Sequence, residues 1–320
     1  MKIGISEFIT QPALNYMRER GYEISFASSN TKEAMIKLLT DCDGLLVRVA
    51  PCDKEVIDRA KKLKVIAKHG VGVDNIDVDY ATQRGIAVTY TPVANTNSVA
   101  EHALYLMMAC AKQGYPLDKK LRETGEFSFR KDYIGEELEG KTLGLIGLGR
   151  IGQRLAHKAM HGLGMSVVGL DPFVKKESLE NGIILLENRD ELLACSDYVS
   201  LHLPVLPDTK GIINLNALKK MKSTAFLINA ARGELIVTDD LVTALKNGII
   251  RGAGIDVFEK EPPHQCPLFA LENVVLTPHT AGSAKESLDK MGLHAAMGIH
   301  EVLSGAKVSW PFNQVARDMI

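Results

Sequence analysis

The chain has 320 residues, of which 46% are hydrophobic and 24% are charged, and its formal net charge is −1. This length suits two domains of ordinary size, and the near-zero net charge excludes a global basic field for binding nucleic acid or an anionic membrane. The sequence has no apolar N-terminal leader and no stretch near the ~18 apolar residues that span a bilayer, so no membrane partner is expected.

Five cysteines are scattered along the chain and form no C-x-x-C pair. Zinc and dithiol chemistry are therefore not expected, and the sequence predicts no metal site. An odd, dispersed set of cysteines is typical of reduced thiols, so the predicted location is the cytoplasm.

Short apolar runs alternate with helix-like stretches over the first hundred residues. Continuous apolar strands separated by helices indicate a parallel sheet that is covered on both faces. The predicted strands are Ile3–Ile5, Ile24–Ala27, Gly44–Val47, Val65–Ala67 and Ala87–Tyr90.

A long apolar helix follows this first unit. Ser98 and Glu101 form an S-x-x-E capping box, which predicts a helix start at Ser98. The helix is apolar nearly all round, so it is expected to be buried and to join two α/β units. His102 on this helix is expected to pack rather than to catalyse.

The second unit has about six predicted strands, the number of a doubly wound sheet. A tail helix over 287–304 is expected to return to the first unit. The predicted division is therefore a discontinuous domain, 1–98 plus 290–320, and a second domain, 99–289. The six strands are Thr142–Ile146, Val167–Leu170, Tyr198–Leu201, Ala225–Asn229, Gly252–Val257 and Val274–Thr277.

A dinucleotide-binding fingerprint opens the second unit. Gly147, Gly149 and Gly152 form G-x-G-x-x-G after a strand-like run and before a helix-like run. These glycines permit a tight turn, a close approach of the backbone to a pyrophosphate, and close helix–strand packing. Asp171 lies 19 residues after Gly152 and ends the next strand. A carboxylate there accepts bonds from ribose hydroxyls and repels a 2′-phosphate, which favours NAD over NADP.

Three chemically unusual residues follow late strands of the second unit: Arg232, Glu261 and His279. Ligands of open α/β sheets sit beyond the carboxyl ends of the strands. Histidine can move a proton near neutral pH, a buried carboxylate can hold it, and a guanidinium can clamp a substrate carboxylate. Taken singly, the three are also explained as a surface ion pair, a turn residue and a capping group.

The fingerprint, "NAARGELI", "DVFEKEP" and "LTPHTAG" together resemble the D-isomer-specific 2-hydroxyacid dehydrogenases. "KHGVGVDNIDVDYATQRGIAVTYTP" and "SVAEHAL" in the first unit are similar to that family's substrate domain. The resemblance covers nearly the whole chain. It implies an α/β fold of two doubly wound parallel-sheet domains, a flavodoxin-like substrate domain with an inserted Rossmann NAD-binding domain.

The resemblance also implies roles for individual residues. His279 would exchange the proton, Glu261 would hold His279, and Arg232 would bind the substrate carboxylate and carbonyl. Val71 and Gly72 would face that carboxylate with their backbone amides. The implied cofactor contacts are Gly147, Gly149, Arg150, Ile151, Gly152, Asp171, Leu203, Ala230, Ala231, Asp256 and Gly282.

Within the family, "GLLVRVAPCDKEVI" and Asn95 resemble the phosphoglycerate dehydrogenase branch. Arg48 would then meet a distal phosphate, carboxylate or sulfonate on a 2-hydroxy or 2-oxo acid. Arg48 as an ordinary surface residue is the competing interpretation. Arg130 and Lys131 either add charge to the site or are simply solvated.

The chain departs from the family pattern in three places. Phe127 stands where a tryptophan is common, and Thr-Ala-Gly follows His279. The sequence ends at Ile320, so the regulatory domain of long phosphoglycerate dehydrogenases is expected to be absent. Family members usually dimerise, so a homodimer is expected.

Two other functions remain open from the sequence. A hydroxypyruvate or glyoxylate reductase would use the same residues on a smaller acid. A dinucleotide-sensing protein, as in transcriptional corepressors of this fold, would bind NADH and turn over poorly.

Overall fold

The computed structural model describes residues 1–315, and the chain divides into two compact units. The first unit comprises Met1–Asn95 and the chain from Ser283 onward, and the second comprises Thr96–Gly282. None of the helices within residues 1–315 has both the length and the hydrophobicity that crossing a lipid bilayer demands.

The first unit contains a five-stranded parallel sheet with the spatial order β2-β1-β3-β4-β5. This order is the flavodoxin-like form of the doubly wound sheet, which confirms the predicted fold class. Every residue of the two central strands, β3 and β4, is buried. The strands are β1 (Lys2–Ile5), β2 (Glu23–Phe26), β3 (Gly44–Val47), β4 (Val65–Lys68) and β5 (Ala87–Thr89).

Four helices connect these strands. Three of them begin at an N-cap residue whose side chain accepts a hydrogen bond from a backbone N–H. This bond satisfies an amide of the first turn that would otherwise have no acceptor. Thr31, Asp53 and Asp77 are these N-caps. The helices are α1 (Gln11–Glu19), α2 (Lys32–Leu39), α3 (Lys54–Arg59) and α4 (Val78–Gln83).

The second unit contains a seven-stranded parallel sheet with the order β12-β11-β10-β9-β6-β7-β8. Read from β8, this is the 3-2-1-4-5-6 Rossmann order with one further strand. The strands are β6 (Thr142–Ile146), β7 (Ser166–Leu170), β8 (Ile183–Leu185), β9 (Tyr198–Leu201), β10 (Phe226–Asn229), β11 (Gly252–Ile255) and β12 (Val274–Leu276).

The predicted count of about six strands missed β8. This edge strand has three residues and pairs only with β7 within the described chain, from Val167↔Ile183 onward. The side chain of Ile184 faces solvent, with 58% of the residue exposed. A short edge strand carries a weak period-2 signal, because only one of its residues is buried.

The helices of the second unit are α5 (Thr96–Ala111), α6 (Gly114–Thr124), α7 (Arg150–Leu163), α8 (Arg189–Cys195), α9 (Leu215–Leu218) and α10 (Thr238–Lys246). Helix α5 packs against α7, β10 and β11. It is not buried all round as predicted, since Tyr105 and Met108 are exposed.

The predicted capping box at the start of α5 is wrong. The helix begins two residues earlier, at Thr96. Ser98 therefore lies in the first turn, where its hydroxyl donates to the carbonyl oxygen of Ala281 at 2.6 Å. Glu101 accepts bonds from Asn97 and Lys158 instead of returning to a cap.

The last helix, α11 (Lys285–Leu303), packs against α1 and the strands β3, β4 and β5 of the first unit. Gly292 permits this contact, because a Cβ there would lie 3.1 Å from the Cβ of Ala13. The helix predicted over 287–304 is thus present and covers the sheet built by the first 95 residues.

Candidate active site

The glycine loop between β6 and α7 has the geometry that its sequence predicts. Gly147 has φ 101°, and a Cβ on it would lie 2.6 Å from the carbonyl oxygen of His202. A Cβ on Gly152 would lie 2.2 Å from the carbonyl oxygen of Gly147. Both positions therefore exclude side chains, one for the turn and one for helix–strand packing.

The open side of this loop fits a dinucleotide. Within residues 1–315, no heavy atom beyond the adjoining residues and helix backbone lies within 4 Å of a Cβ built on Gly149, so a side chain there would occupy open space beside the start of α7. The first amides of that helix, including those of Arg150 and Ile151, point out of its N-terminus and favour an anion. These residues would hold the pyrophosphate of NAD.

Asp171 stands at the end of β7 and braces the glycine loop. Its Oδ2 accepts the Leu148 amide at 2.8 Å, and its Oδ1 accepts the Phe173 amide at 2.9 Å. The carboxylate is partly exposed, so its remaining lone pairs can accept bonds from ribose hydroxyls.

Other predicted cofactor residues surround the same loop. The side chain of Leu203 lies 3.1 Å from a Cβ built on Gly147. Ile151 packs against a small cluster that contains Ala230 and Ala281, and Gly282 follows that cluster directly. The Ala231 amide donates to Asn229 Oδ1 at 3.0 Å.

His279 and Glu261 form a direct pair. His279 Nδ1 lies 2.7 Å from Glu261 Oε2, and Glu261 Oε1 accepts the Phe258 amide at 3.0 Å. Partial burial works to raise the pKa of Glu261, but the bonds from His279 and Phe258 outweigh it and hold that pKa below its ordinary value. Glu261 is therefore ionised at neutral pH and accepts the Nδ1 proton.

The expected burial of this carboxylate is wrong. The side chains are 49% exposed for His279 and 37% exposed for Glu261. Glu261 follows the turn after β11 and does not enter the core, so solvent screens its charge.

Asp256 is the buried acid of this site. It follows β11, is 0% exposed, and accepts bonds from Thr277 Oγ1 at 2.6 Å and from the amides of Thr280 at 2.8 Å and Ala281 at 2.9 Å. Burial would raise the pKa of Asp256, but these bonds and one from His102 hold it below its ordinary value. The Asp256 carboxylate thus fixes the loop that carries His279.

The backbone of His279 is itself strained. Its φ is 52°, in the left-handed region that residues with a Cβ rarely adopt. The conformation persists because the His279 amide donates to the carbonyl oxygens of Asp256 at 2.7 Å and Thr277 at 3.1 Å.

Sequence reasoning missed the roles of His102 and Thr277. His102 Nε2 lies 2.9 Å from Thr277 Oγ1 and 3.3 Å from Asp256 Oδ1. His102 is thus part of the polar network beneath the His279 loop, rather than a simple packing residue. The sequence offered one signal for the role of Thr277, which is its position two residues before His279 in "LTPHTAG".

Arg232 follows β10, and its neighbour Gly233 brings it close to the Glu261 turn. A Cβ on Gly233 would lie 1.9 Å from the carbonyl carbon of Phe258, whose amide binds Glu261. Arg232 Nη1 donates to the Ala231 carbonyl at 2.6 Å. The turns that carry Arg232 and Glu261 are therefore packed together at the carboxyl end of the second sheet.

In the first unit, Arg48 follows β3 in a loop held by Glu7. The Glu7 carboxylate accepts the amides of Arg48 at 3.1 Å, Val49 at 3.0 Å and Ala50 at 2.8 Å. The Arg48 side chain donates from Nη1 to the Phe8 carbonyl at 3.1 Å. Within residues 1–315 its other guanidinium N–H groups have no hydrogen-bond acceptor.

The predicted substrate loop follows β4. Gly70 is fixed by two bonds with the Thr91 hydroxyl, at 3.0 and 3.1 Å. Over the described residues, the next two amides, of Val71 and Gly72, donate no hydrogen bond and can meet a carboxylate. Asn95 Oδ1 is buried and has no hydrogen-bond partner among residues 1–315.

His69 lies directly before this loop and is 6% exposed. Burial, followed by the positive charge of Arg48, lowers the pKa of His69 to about 4. The ring is therefore neutral at neutral pH. Sequence reasoning missed this residue, although it lies in the quoted motif "KHGVGV".

Phe127, which stands where the family commonly has a tryptophan, lies on the surface of the second unit, as do the two possible site cations Arg130 and Lys131. Phe127 is exposed, and Arg130 and Lys131 are exposed in the 3₁₀ turn Ser128–Asp132 that follows it. Their exposure favours the interpretation of Arg130 and Lys131 as solvated charges.

The fold and the glycine loop define a two-domain α/β protein with a Rossmann dinucleotide-binding unit. Residues 104–281, more than half of the chain, match the family described as D-isomer specific 2-hydroxyacid dehydrogenase, NAD binding domain. The chain belongs to the D-isomer specific 2-hydroxyacid dehydrogenase family, and its cofactor is NAD.

Comparisons with individual proteins support the same family. The chain is similar to the D-3-phosphoglycerate dehydrogenases of Archaeoglobus fulgidus (42% identity over 96% of this chain) and Methanocaldococcus jannaschii (42% over 95%). It spans only 58% of the length of each of these relatives. The crystal structure of the TT0316 protein from Thermus thermophilus superposes with a TM-score of 0.91 at 37% identity, covering 98% of this chain and 100% of that one.

Proposed function

We propose that the protein is an NAD-dependent oxidoreductase that interconverts a D-2-hydroxy acid and its 2-oxo acid. The observation that carries the proposal is the His279–Glu261 pair, at 2.7 Å, in the same unit as the dinucleotide loop. A histidine with one nitrogen fixed by a carboxylate presents its other nitrogen for proton transfer.

This geometry supports the following catalytic roles. Glu261 accepts the Nδ1 proton of His279, so Nε2 takes up the hydroxyl proton during oxidation and returns it during reduction. NAD, which the glycine loop and Asp171 would hold, would supply the hydride acceptor for the carbon that carries the hydroxyl group. Arg232 binds the substrate carboxylate and carbonyl oxygen through its planar guanidinium. Asp256 positions the His279 loop from beneath, and its predicted cofactor contact stays a prediction.

The substrate of the proposed reaction carries a second anionic group, as 3-phosphoglycerate does. Two observations support this: the curated relatives are D-3-phosphoglycerate dehydrogenases, and Arg48 keeps guanidinium donors for a ligand. Val71, Gly72 and Asn95 complete the proposed substrate contacts. We also propose that the first unit is the substrate domain, predicted as 1–98 plus 290–320. The second unit is then the dinucleotide domain, predicted as 99–289.

One observation favours the alternative, a hydroxypyruvate or glyoxylate reductase. The Glu7 carboxylate sits on the Arg48 loop and adds a negative charge there. This charge would oppose a distal phosphate and would leave a small, uncharged tail unaffected.

The discriminating experiment follows NADH absorbance with a panel of 2-oxo acids. Phosphohydroxypyruvate, oxaloacetate and sulfopyruvate carry a distal anion, whereas hydroxypyruvate, glyoxylate and pyruvate do not. We expect preferred turnover of the first group, and a roughly 10²- to 10⁴-fold loss in His279→Ala. Preference for the second group would select the reductase, and tight NADH binding without turnover would select the sensor.

Arg48→Ala tests the specificity residue. We expect a much larger rise in KM for phosphohydroxypyruvate than for pyruvate, because only the former has a distal anion to lose its partner. Lys54→Ala, an exposed cation in α3, is the matched control. Equal effects of Arg48→Ala on both substrates would contradict the role of Arg48.

The assembly proposed is a cytoplasmic homodimer without nucleic-acid or membrane partners. Helix α6 (Gly114–Thr124) supports a dimer, because none of its residues is buried. Four large apolar side chains on or after this helix are exposed: Tyr115, Leu121, Phe127 and Ile134. Exposed apolar surface is a feature of interaction sites, and light scattering measures the assembly directly.

A further inference from the structure

Outside the proposed active site, three potential metal ligands converge on the surface of the second unit. His157 and His161 lie four residues apart on α7, so their side chains share one face of the helix. Glu180 lies in the connection between β7 and β8. The ligand atoms of the three side chains all lie within 4.8 Å of one another.

One carboxylate oxygen receives both imidazoles. His157 Nδ1 lies 2.8 Å and His161 Nε2 lies 2.9 Å from the same Glu180 Oε1. The two rings are tilted against each other, with centroids 4.7 Å apart. Both rings therefore direct a nitrogen toward the same carboxylate, and the three potential ligand atoms are close enough together to share one cation.

We propose that His157, His161 and Glu180 form a binding site for a divalent transition-metal ion of the zinc class. Imidazole and carboxylate are ligands of Zn²⁺, and three protein ligands leave a fourth position for water. The sequence predicted no metal site because the cysteines lack metal-binding spacing, and this site uses no cysteine.

To hold an ion, the three ligand atoms, which now lie within 4.8 Å of one another, must take up the spacing of a metal site. A tetrahedral ion with ligand distances of about 2.0–2.2 Å holds its ligands roughly 3.4 Å apart. The two nitrogen–oxygen distances must grow by about half an ångström from 2.8 and 2.9 Å. The side chains can make this change by rotation, because they are 46%, 60% and 33% exposed for His157, His161 and Glu180.

The ion would connect two parts of the Rossmann unit. Helix α7 begins at the glycine loop, and the segment that carries Glu180 begins just after Asp171, the residue that braces that loop. A metal bond between them would hold the helix and the segment after β7 in one geometry. Because the ion binds the folded arrangement, it raises the thermal stability of the chain.

Zinc titration of the full chain tests the site. After removal of metal with EDTA and dialysis, Zn²⁺ is added in a calorimeter and in a thermal-unfolding assay. We expect one Zn²⁺ per chain at this site and a rise in Tm. Glu180→Gln and His161→Gln should each weaken binding by roughly tenfold or more and abolish the Tm rise.

Two controls locate the ion. His264→Gln removes an exposed histidine elsewhere on the second unit and should bind Zn²⁺ as the unaltered chain does. His279→Gln removes the other exposed histidine–carboxylate pair. Absence of zinc binding, or binding that survives Glu180→Gln and His161→Gln and disappears in His279→Gln, would overturn the proposal.

Discussion

In both sheets, a carboxylate that follows one strand binds the backbone amides of a loop after the neighbouring strand. The two carboxylates differ in how deeply they are buried. In the second unit, Asp256 follows β11 and binds the loop after the neighbouring strand β12. In the first unit, Glu7 follows β1 and binds the loop after the neighbouring strand β3. Each carboxylate accepts backbone amides that point beyond the carboxyl end of a parallel sheet.

The difference lies in burial. Each carboxylate also accepts a side-chain hydroxyl, from Thr277 and Ser6 respectively, but Asp256 is 0% exposed, whereas Glu7 is partly exposed. A buried carboxylate that accepts several bonds can hold a loop with a strained backbone, and Asp256 does so by binding the Thr280 and Ala281 amides directly after His279, whose φ is 52°. A partly exposed one exchanges bonds with water at lower cost. The loop that carries His279 is therefore held rigidly, and the Arg48 loop is held more weakly.

Asp256→Asn should have the largest effect on stability. The new amide nitrogen would face either the Ala281 or the Thr280 N–H, leaving buried donors without acceptors. We expect a loss of about 2–4 kcal/mol in the free energy of unfolding. Urea unfolding followed by circular dichroism measures the loss.

A matched control for this substitution is Asp208→Asn, because Asp208 is an exposed acid of the same unit. It should stay within about 0.5 kcal/mol of the unaltered chain. If Asp256→Asn lost no more stability than Asp208→Asn, Asp256 would not hold the His279 loop rigidly.

Much of this architecture could be predicted from the sequence. The glycine loop and Asp171 were predictable because a tight turn, a close packing contact and a strand end each demand a residue type within about 25 positions. The central strands were predictable because burial on both faces requires continuous apolar runs.

The missed features depend on tertiary pairing. Ser98 fits a capping pattern, but a bond to Ala281, far along the chain, determines its place. Glu7 and Asp256 are single acids whose partners lie in the loops after neighbouring strands, and no local spacing connects each acid to its partners. The convergence of His157, His161 and Glu180 likewise needs the fold, because the β7–β8 connection supplies the third ligand.

The first unit should show a pH dependence that originates at His69. Its pKa is lowered to about 4 in the folded chain, against ~6.5 when unfolded. The unfolded state therefore binds the extra proton between these values, and stability is fully present above pH ~6.5 and falls as the pH is lowered toward 4. At pH ~4.5 we expect about 2–3 kcal/mol less stability from this residue than at pH ~7.5.

Trp310 provides the measurement. It is the single tryptophan of the chain and stacks on His294 in the first unit, so its fluorescence in urea follows that unit. His69→Gln should flatten the acid-side loss. His264→Gln, in the second unit, should leave it intact. An unchanged slope in His69→Gln would assign the pH dependence to other groups.

Glu7→Gln should have the smallest effect and tests the weaker side of the comparison. The substitution keeps one carbonyl acceptor for the loop amides and removes the charge, so a loss of only about 1 kcal/mol is expected. The Trp310 signal in urea reports it, and Glu19→Gln, an exposed acid of α1, is the control. In turnover assays the same variant removes a negative charge beside Arg48, so KM should fall for a distally anionic acid and stay constant for pyruvate. A stability loss as large as that of Asp256→Asn would show that both loops are held equally, and an equal change in KM for both acids would separate Glu7 from substrate choice.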